Sequence, residues 1–400
     1  MTSILYLSSV DLPHRKARAI QIVNTAHALA RAGAWVTLVG GRRDPGDASS
    51  VLMPFGLQPH PRLRVVRVPI ARPPAKLDRW YTSTWQASYL GGLALRAFRL
   101  MRPLPDAIVV RDLRLAWLLC QLSRNVRQRL VYEVHDLSSL EAELRGESQE
   151  ASRIKDLEDF VFSRVGRVVC ITSELKRLLA ERNGRPAESI VVIPDGTNAP
   201  REEAGGVRRR EGVYYVGQLY PWKGVDTLIR AAVAYPQAEY VLVGGTEEPG
   251  ADEPDIQRLT QLARDLGIAG RVRFTGWVPY RDVSRLLRDA AVTVIPLPDT
   301  AFGRYFTSPL KLFDYMAAGA AIVSSDLPSL RDVLKNECNA LLVPPGDPSA
   351  LAQAIQRLLS DESLAVRLGK QARLDVQRYS WDARAARLLD QVSRTPVPLC

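Results

Sequence analysis

The segment from Phe306 to Ser325 carries the clearest chemical signal in this sequence. Ser308 is a residue type that caps helices, Pro309 suits a first helical position, and Gly319 is a typical helix end. The apolar residues 320–323 that follow predict a short buried strand. Free amides at a helix start attract phosphate, so the segment predicts an anion-binding helix start next to a parallel sheet.

Asp314 lies on the same helical face as Leu310, about 6 Å further along the axis at ~1.5 Å per residue. This is the offset between a bound diphosphate and its ribose hydroxyls, so Asp314 is a candidate ribose ligand. The alternative interpretation of the same residues is a capped helix with a solvated aspartate.

A second anion-receptive helix start comes earlier in the same half of the chain. Gly217 follows the apolar strand Val213 to Val216, and Lys223 with Gly224 opens the next helix. A lysine there is a flexible point charge suited to a diphosphate. The alternative is a solvated lysine that opposes the helix dipole.

Strands and helices alternate along both halves of the chain, which predicts mostly parallel sheets with helices on both faces. The polar segment 200–212 separates the halves and is the predicted linker. We therefore expect an N-terminal Rossmann-like domain over residues 1–198, joined by a helix at about 381–400 that packs back on it. A second Rossmann-like domain over 199–380 would bind the nucleotide, with a cleft between the two. The first domain includes one predicted helix over residues 141–164.

The composition is that of a folded globular protein, with 46% hydrophobic and 24% charged residues. The four cysteines are scattered, which argues against a zinc site and a disulfide framework.

Residues 1–200 hold 29 Lys and Arg against 19 Asp and Glu, whereas residues 201–400 hold 25 against 24. The basic stretch from Arg62 to Arg102 predicts a face for an anionic surface or an acidic substrate, with a merely solvated face as the alternative. No leader or long apolar run is visible, so the expected location is the cytoplasm, with attachment to the inner membrane face.

Four segments together resemble the retaining glycosyltransferases of family 4, which have the GT-B fold. The resemblance rests on residues 217–228, Phe274 to Val278, Val294 to Pro296, and the segment Ser308 to Ser325 with its Ser-Pro-Leu-Lys-Leu-Phe-Asp-Tyr-Met-Ala pattern. It implies transfer of a hexose-type sugar from a UDP-sugar or GDP-sugar to a glycan or lipid-linked acceptor.

The resemblance also implies roles for individual residues. Lys223 would bind the donor diphosphate, Asp314 the nucleotide ribose, and the loop Trp277-Val278 would present backbone groups to the base. His135, after the strand Leu130 to Val134, would lie beside the donor sugar, or else be a structural histidine. The remaining donor-binding candidates are Gly217, Gln218, Thr307, Ser308, Pro309 and Leu310.

The sequence departs from the family pattern at three places. Phe306 stands where many relatives have a sugar-binding carboxylate, and Gln218 stands where many pair an arginine with the lysine. Arg304 or Lys311 are therefore candidate helpers for the diphosphate. The first loop has no glycine pair and offers basic residues, of which Arg15 and Arg18 are candidates for the acceptor side.

The resemblance implies front-side attack, in which the leaving phosphate accepts the acceptor's proton and Lys223 stabilises the developing charge. No Asp-x-Asp motif is present, so we expect no metal and no cofactor other than the nucleotide sugar substrate. Two alternatives remain open: a catalytically silent subunit that binds nucleotide sugar, and a GT-B-like sugar-nucleotide epimerase. A solute-binding protein is disfavoured by the absence of a signal peptide. Nucleic acid binding is disfavoured because no recognition motif accompanies the charge.

Overall fold

A computed structural model describes residues 1–12, 17–42, 48–69, 92–93, 95–198, 210–245 and 254–394. The chain divides into two units, Met1–Pro194 with Trp381–Cys400, and Asp195–Ser380. The first unit therefore ends at Pro194, before the boundary at residue 198 that the sequence predicted. The predicted linker 200–212 lies mostly outside the described residues.

The first unit contains a seven-stranded sheet in the order β3-β2-β1-β4-β5-β6-β7, with every pair of neighbours parallel. Its middle strand, Ala107–Val110, is a continuous apolar run, because helices cover both faces of a parallel sheet. Its elements are β1 (Ser3–Asp11), α1 (Ala17–Arg31), β2 (Trp35–Arg42), α2 (Ala48–Leu52), β3 (Leu63–Pro69), β4 (Ala107–Val110), α3 (Leu113–Cys120), α4 (Arg124–Arg129), β5 (Leu130–Val134), α5 (Ser138–Leu144), α6 (Ser148–Arg164), β6 (Arg167–Cys170), α7 (Ser173–Asn183) and β7 (Ile190–Val192).

The second unit contains a six-stranded parallel sheet in the order β10-β9-β8-β11-β12-β13. Its elements are β8 (Glu211–Val216), α8 (Val225–Ala232), β9 (Tyr240–Val243), α9 (Pro254–Asp265), β10 (Val272–Gly276), α10 (Tyr280–Leu287), β11 (Ala290–Ile295), α11 (Ala301–Tyr305), α12 (Leu310–Ala318), β12 (Ala321–Ser325), α13 (Pro328–Arg331), β13 (Leu341–Val343), α14 (Pro348–Ser360) and α15 (Glu362–Asp375). The last helix, α16 (Trp381–Ser393), belongs to the first unit, where it packs against α1.

The helix predicted over residues 141–164 is two helices, α5 and α6. Gly146 between them has a left-handed backbone with φ of 78°, a conformation that interrupts a right-handed helix. Leu144 precedes this break and Ser148 follows it.

In both sheets the order of the strands reverses at one place, between β1 and β4 in the first and between β8 and β11 in the second. In open parallel sheets, ligands bind at the carboxyl ends of the strands beside such a reversal. The loops after β1, β4, β8 and β11 are therefore where each sheet can hold a ligand.

Candidate active site

The turn after β8 is built from glycines that allow backbones to approach closely. Gly217 has φ of 139°, and its N–H donates to the carbonyl of Val243 over 2.8 Å. A Cβ on Gly244 would lie 1.9 Å from the carbonyl oxygen of Gly217. The Gln218 carbonyl accepts a 2.6 Å hydrogen bond from Tyr215 Oη, which fixes the tyrosine ring under the turn.

Lys223 ends a short 3-10 helix at the start of α8, and Gly224 after it has φ of 70°. A Cβ on Gly224 would lie 1.9 Å from the carbonyl oxygen of Pro296, so only glycine fits where this loop crosses the end of β11. The Lys223 ammonium lies 5.0 Å from the centre of the Phe302 ring. Burial lowers the pKa of Lys223 from its ordinary value.

A second lysine lies close to the same turn. The ammonium of Lys311, in the first turn of α12, is 3.6 Å from the centre of the Tyr215 ring and 2.8 Å from the position of a Cβ on Gly217. Burial, and then repulsion from Lys223, holds the pKa of Lys311 well below its ordinary value. Neither lysine has a carboxylate partner among the described residues, so the turn concentrates positive charge that the protein itself does not neutralise.

The start of α12 differs from the prediction at Ser308. The N-cap residue is Pro309, with extended backbone angles, and the helix begins at Leu310. Ser308 Oγ instead accepts a 3.2 Å hydrogen bond from the Asp195 N–H, so the expectation that Ser308 caps this helix was wrong. The first amides of α12 still lack partners within the helix, as at any helix start. Gly319 ends the helix in a left-handed conformation, as predicted.

Asp314 lies in α12 and is half-buried. Its Oδ1 accepts hydrogen bonds from Thr197 Oγ1 at 2.6 Å and Tyr280 Oη at 3.2 Å. Within the described chain no side chain or amide donates to Oδ2, which leaves that oxygen available to a ligand. Burial raises the pKa of Asp314 to about 6, although both hydrogen bonds act in the opposite direction.

The remaining candidates of the second unit have varied surroundings. Thr307 is buried, and its Oγ1 donates to the Phe302 carbonyl over 2.9 Å. Phe306 is buried against Phe302 and Tyr305, so an aromatic contact occupies the position where the resemblance implied a carboxylate.

The loop after β10 contains Trp277 and Val278. Val278 packs against the buried cluster that includes Tyr214 and Val243. Trp277 is half-buried, and no described contact joins this loop to the two lysines.

His135 of the first unit follows β5, is buried, and lies with Nε2 2.6 Å from Glu133 Oε1. Burial, and then Arg111, lowers the pKa of His135 to about 3, so the ring is neutral. Because a carboxylate only accepts, Nε2 carries the proton and Nδ1 is left as the acceptor.

Glu133 is the centre of a buried network that the sequence analysis missed. Burial, the largest single influence, would raise the pKa of Glu133, but the Arg384 guanidinium, the His135 hydrogen bond and Arg111 together outweigh it and hold the pKa well below the usual range. Its carboxylate accepts hydrogen bonds from four side chains: Tyr6 Oη (3.0 Å), Gln21 Nε2 (2.6 Å), His135 Nε2 (2.6 Å) and Arg384 Nη2 (2.5 Å). The Glu-x-His spacing was visible in the sequence, but the arginine 251 residues away was not.

The acceptor-side candidate Arg18 lies beside the strand-order reversal of the first sheet. Its Nη2 is 3.4 Å from Ser9 Oγ and 4.0 Å from Asp112 Oδ2, at the ends of β1 and β4. Arg15 lies outside the described residues.

No group of three or more His, Cys, Asp or Glu side chains that could hold a metal occurs in the described part of the chain. None of its helices is long and apolar enough to cross a membrane.

The two reversal points and their loops define a protein with two Rossmann-like domains, the GT-B class. Residues 19–196 match a family model described as a glycosyl transferase 4-like domain, and residues 201–375 match the model for glycosyl transferases group 1. Each half of the chain thus matches a family model of glycosyltransferases.

Similar proteins agree with this assignment. The chain is 30% identical over 290 residues to a D-inositol 3-phosphate glycosyltransferase of Acidothermus cellulolyticus, an alignment that covers 66% of this chain and 63% of that protein. The chain thus spans less than two thirds of that relative.

Among solved structures, a sucrose-phosphate synthase of Thermosynechococcus elongatus has a TM-score of 0.74 at 24% identity over 98% of each chain. HepE of Anabaena, solved in complex with UDP and glucose, has a TM-score of 0.73 at 20% identity, over 98% of this chain and all of that one. These two likenesses show the fold.

Proposed function

We propose that this protein is a retaining glycosyltransferase that moves a hexose-type sugar from a nucleoside diphosphate sugar to a glycan or lipid-linked acceptor. The observation that carries the proposal is Lys223: a half-buried ammonium without a carboxylate partner in the described chain, beside the strand-order reversal of the second sheet. A buried charge costs free energy unless it is paired, and a diphosphate would supply the missing partner.

The proposed donor contacts follow from the described geometry. Lys223 binds diphosphate oxygens, with backbone groups of Gly217, Gln218 and the start of α12 around them. Asp314 accepts a ribose hydroxyl at Oδ2, the oxygen without a described protein donor. The Trp277-Val278 loop presents backbone groups to the base. HepE, solved with UDP and glucose, supports a UDP-sugar as the donor.

The proposed reaction retains the configuration of the anomeric carbon. The acceptor oxygen attacks the sugar C1 from the side of the leaving group, the bond from C1 to the phosphate oxygen breaks, and that phosphate oxygen takes the acceptor's proton. Lys223 stabilises the charge that develops on the diphosphate. Because lysine and helix amides can supply this neutralisation, we expect activity without an added divalent metal.

His135 is the proposed residue of the first unit at the donor sugar. With Nε2–H fixed by Glu133, its Nδ1 can accept a hydrogen bond from a sugar hydroxyl. Arg18, and Arg15 before it, are proposed to meet an anionic part of the acceptor. The named substrate of the Acidothermus relative, an inositol phosphate, supports an acceptor that carries phosphate.

Replacement of Lys223 tests the proposal. We expect Lys223→Ala to slow turnover with a UDP-sugar. The activation free energy should rise by about 2 to 4 kcal/mol, because the lost interaction is strongest in the transition state. The fold should survive, since the change removes an unpaired buried charge. The matched control is Lys370→Ala, which removes an exposed lysine of α15. Turnover would be measured as release of UDP, with and without EDTA.

Near wild-type turnover in Lys223→Ala would remove this lysine from the mechanism. The second candidate function is a catalytically silent subunit that binds nucleotide sugar, and the buried Phe306 in place of a carboxylate favours it. Tight UDP binding by wild-type protein, with neither transfer nor donor hydrolysis over a panel of acceptors, would support that alternative. A product sugar nucleotide with altered stereochemistry, formed without acceptor, would instead indicate an epimerase.

A further inference from the structure

Lys311 occupies a position that is costly for the protein on its own. The residue lies in the first turn of α12, where the helix dipole disfavours a cation. Burial of the Lys311 ammonium, and then repulsion from the Lys223 ammonium, lower its pKa and so oppose the charged form. No carboxylate within the described ranges offsets these costs, so the folded protein without ligand gains no ion pair from this charge.

The position of the ammonium is nevertheless fixed by its surroundings. It lies over the face of the Tyr215 ring at 3.6 Å, and the Tyr215 hydroxyl is held by the Gln218 carbonyl. The missing side chain at Gly217 leaves the space that the ammonium occupies, because a Cβ there would be only 2.8 Å away. Tyr215 of β8, together with Gly217 and Gln218 of the turn after it, therefore directs Lys311 to the end of β8.

The other candidate helper does not share this arrangement. Arg304 forms a two-pronged ion pair with the exposed carboxylate of Asp299, one hydrogen bond of which is 2.6 Å long. Its charge is already neutralised at the surface. Of the two candidate helpers only Lys311 presents a charge without a carboxylate partner in the described chain.

We propose that Lys311 is the second cation of the diphosphate site. The proposal rests on the proposed donor-binding function. Lys223 and Lys311 would contact the diphosphate together, and the bound anion would turn the repulsion between the two ammonium groups into mutual attraction to one ligand. Tyr215 is a positioning residue, because it places Lys311 and need not touch the donor; Gly217 places Lys311 through its missing side chain, in addition to its proposed backbone contact with the donor.

This proposal predicts opposite effects of one substitution on stability and on binding. Lys311→Met keeps the length of the side chain and removes its charge. We expect the ligand-free melting temperature to rise by roughly 2 to 4 °C, because an unfavourable interaction of about 1 kcal/mol is removed. We expect the affinity for UDP to fall about 10- to 100-fold, because a hydrogen bond to a charged group is lost.

The experiment measures melting temperature without ligand and calorimetric affinity for UDP, UMP and uridine. Lys311→Met should weaken UDP binding far more than uridine binding, and Lys311→Arg should restore much of the UDP affinity. Lys370→Met, the matched loss of an exposed lysine, should change neither quantity. A lower ligand-free melting temperature in Lys311→Met, wild-type UDP affinity, or an equal loss for uridine would overturn the proposal.

The same measurements distinguish failure of the proposed donor-binding function from failure of the Lys311 proposal. If the wild-type protein binds none of UDP, GDP, ADP, CDP and dTDP, there is no diphosphate site and both proposals fail. If wild-type protein binds UDP and Lys223→Met loses that binding while Lys311→Met keeps it, the donor site stands and Lys311 has no part in it.

Discussion

Asp314 is the residue of the candidate site whose charge state changes near neutral pH. Its pKa is about 6 in the folded protein, against an ordinary value of 3.8, mainly because burial disfavours the carboxylate. The folded chain therefore holds this proton more tightly than the unfolded chain. Tighter proton binding therefore stabilises the folded chain relative to the unfolded chain. This contribution to the free energy of unfolding is full below about pH 4 and is lost as the pH rises through about 6.

Replacement of this carboxyl group by an amide should remove that pH dependence. We expect the free energy of unfolding of Asp314→Asn, relative to wild type, to increase by about 1 to 2 kcal/mol between pH 4 and pH 7.5. Urea unfolding of both proteins at the two pH values measures the difference. The same difference at both pH values would mean that Asp314 does not titrate in this range.

The anion-receptive helix starts at Lys223 and before Asp314 were recognised from short spacing, whereas the roles of the other site residues came from the family resemblance. All of these assignments remain predictions. The cap at Ser308 was wrong because its oxygen is taken by the Asp195 amide, over 100 residues away in sequence. From the sequence, Lys311 could be named only as one of two candidate residues to assist Lys223 at the diphosphate. Its placement depends on the backbone angle at Gly217 and on the Tyr215 ring, which the sequence does not show.

The turn after β8 is the element whose geometry positions the proposed diphosphate site. We expect Gly217→Ala to destabilise the fold by about 1 to 3 kcal/mol, because alanine is strained at a φ of 139°. It should also weaken UDP binding, because the new Cβ would displace the Lys311 ammonium. Calorimetry and thermal unfolding would measure the two effects.

A matched glycine separates strain from displacement. Gly267, after α9, has φ of 71°, and no atom lies within 4 Å of a Cβ built on it. Gly267→Ala should therefore lower stability and leave UDP affinity unchanged. Equal UDP affinity in both variants would show that the turn does not control the position of Lys311.

Strands and helices were predictable where hydrophobic pattern alone decides them. Strand β5 has the predicted bounds Leu130 to Val134, because four of its five residues are apolar and all five are buried. The prediction failed at α5 and α6, where a single left-handed glycine divides a periodic stretch. It also missed β13, whose three residues are too few to show a period and are recruited as a strand by the edge of the sheet.

Nearly all of the net positive charge of the molecule lies in the first half of the chain. Most of the basic stretch from Arg62 to Arg102 lies outside the described residues, but residues 95–100 are helical and expose Arg96 and Arg99 together with Leu95 and Phe98. Basic residues mixed with exposed apolar side chains suit an anionic lipid surface. We therefore expect reversible binding to vesicles that contain anionic lipid.

Charge reversal tests this expectation. At about 1 kcal/mol per engaged basic residue, Arg96→Glu with Arg99→Glu should release the protein from anionic vesicles, and high salt should do the same. UDP affinity should be unchanged. The matched control reverses the exposed Arg230 and Arg264 of the second unit. Equal sedimentation with neutral and anionic vesicles would make a soluble acceptor the better hypothesis.

Arg384 joins distant parts of the chain inside the first unit. Its guanidinium binds Glu133 and donates to the carbonyl oxygens of Ile193 at 2.7 Å and Pro194 at 2.6 Å. We expect Arg384→Met to destabilise the first unit by about 3 to 5 kcal/mol, because the Glu133 charge would remain buried without its partner. Hydrogen exchange in β5 and α16 would report the loss.

Two further variants make that prediction specific. Arg387→Met removes a guanidinium of the same helix whose one hydrogen bond within the described residues goes to the Val192 carbonyl at the surface, and it should cost less than about 1 kcal/mol. Glu133→Gln combined with Arg384→Met should recover part of the loss, because no buried charge is then left unpaired. A double variant as unstable as Arg384→Met would argue against an electrostatic origin.

The same arginine has a consequence for the synthesis of the protein. A ribosome completes the Glu133 side of this network long before it adds Arg384, and it makes the entire second unit between them. Domains usually fold in the order in which they are translated. Here the first unit cannot reach its final packing until Arg384 has followed the entire second unit off the ribosome, so until then the Glu133 carboxylate lacks its guanidinium partner.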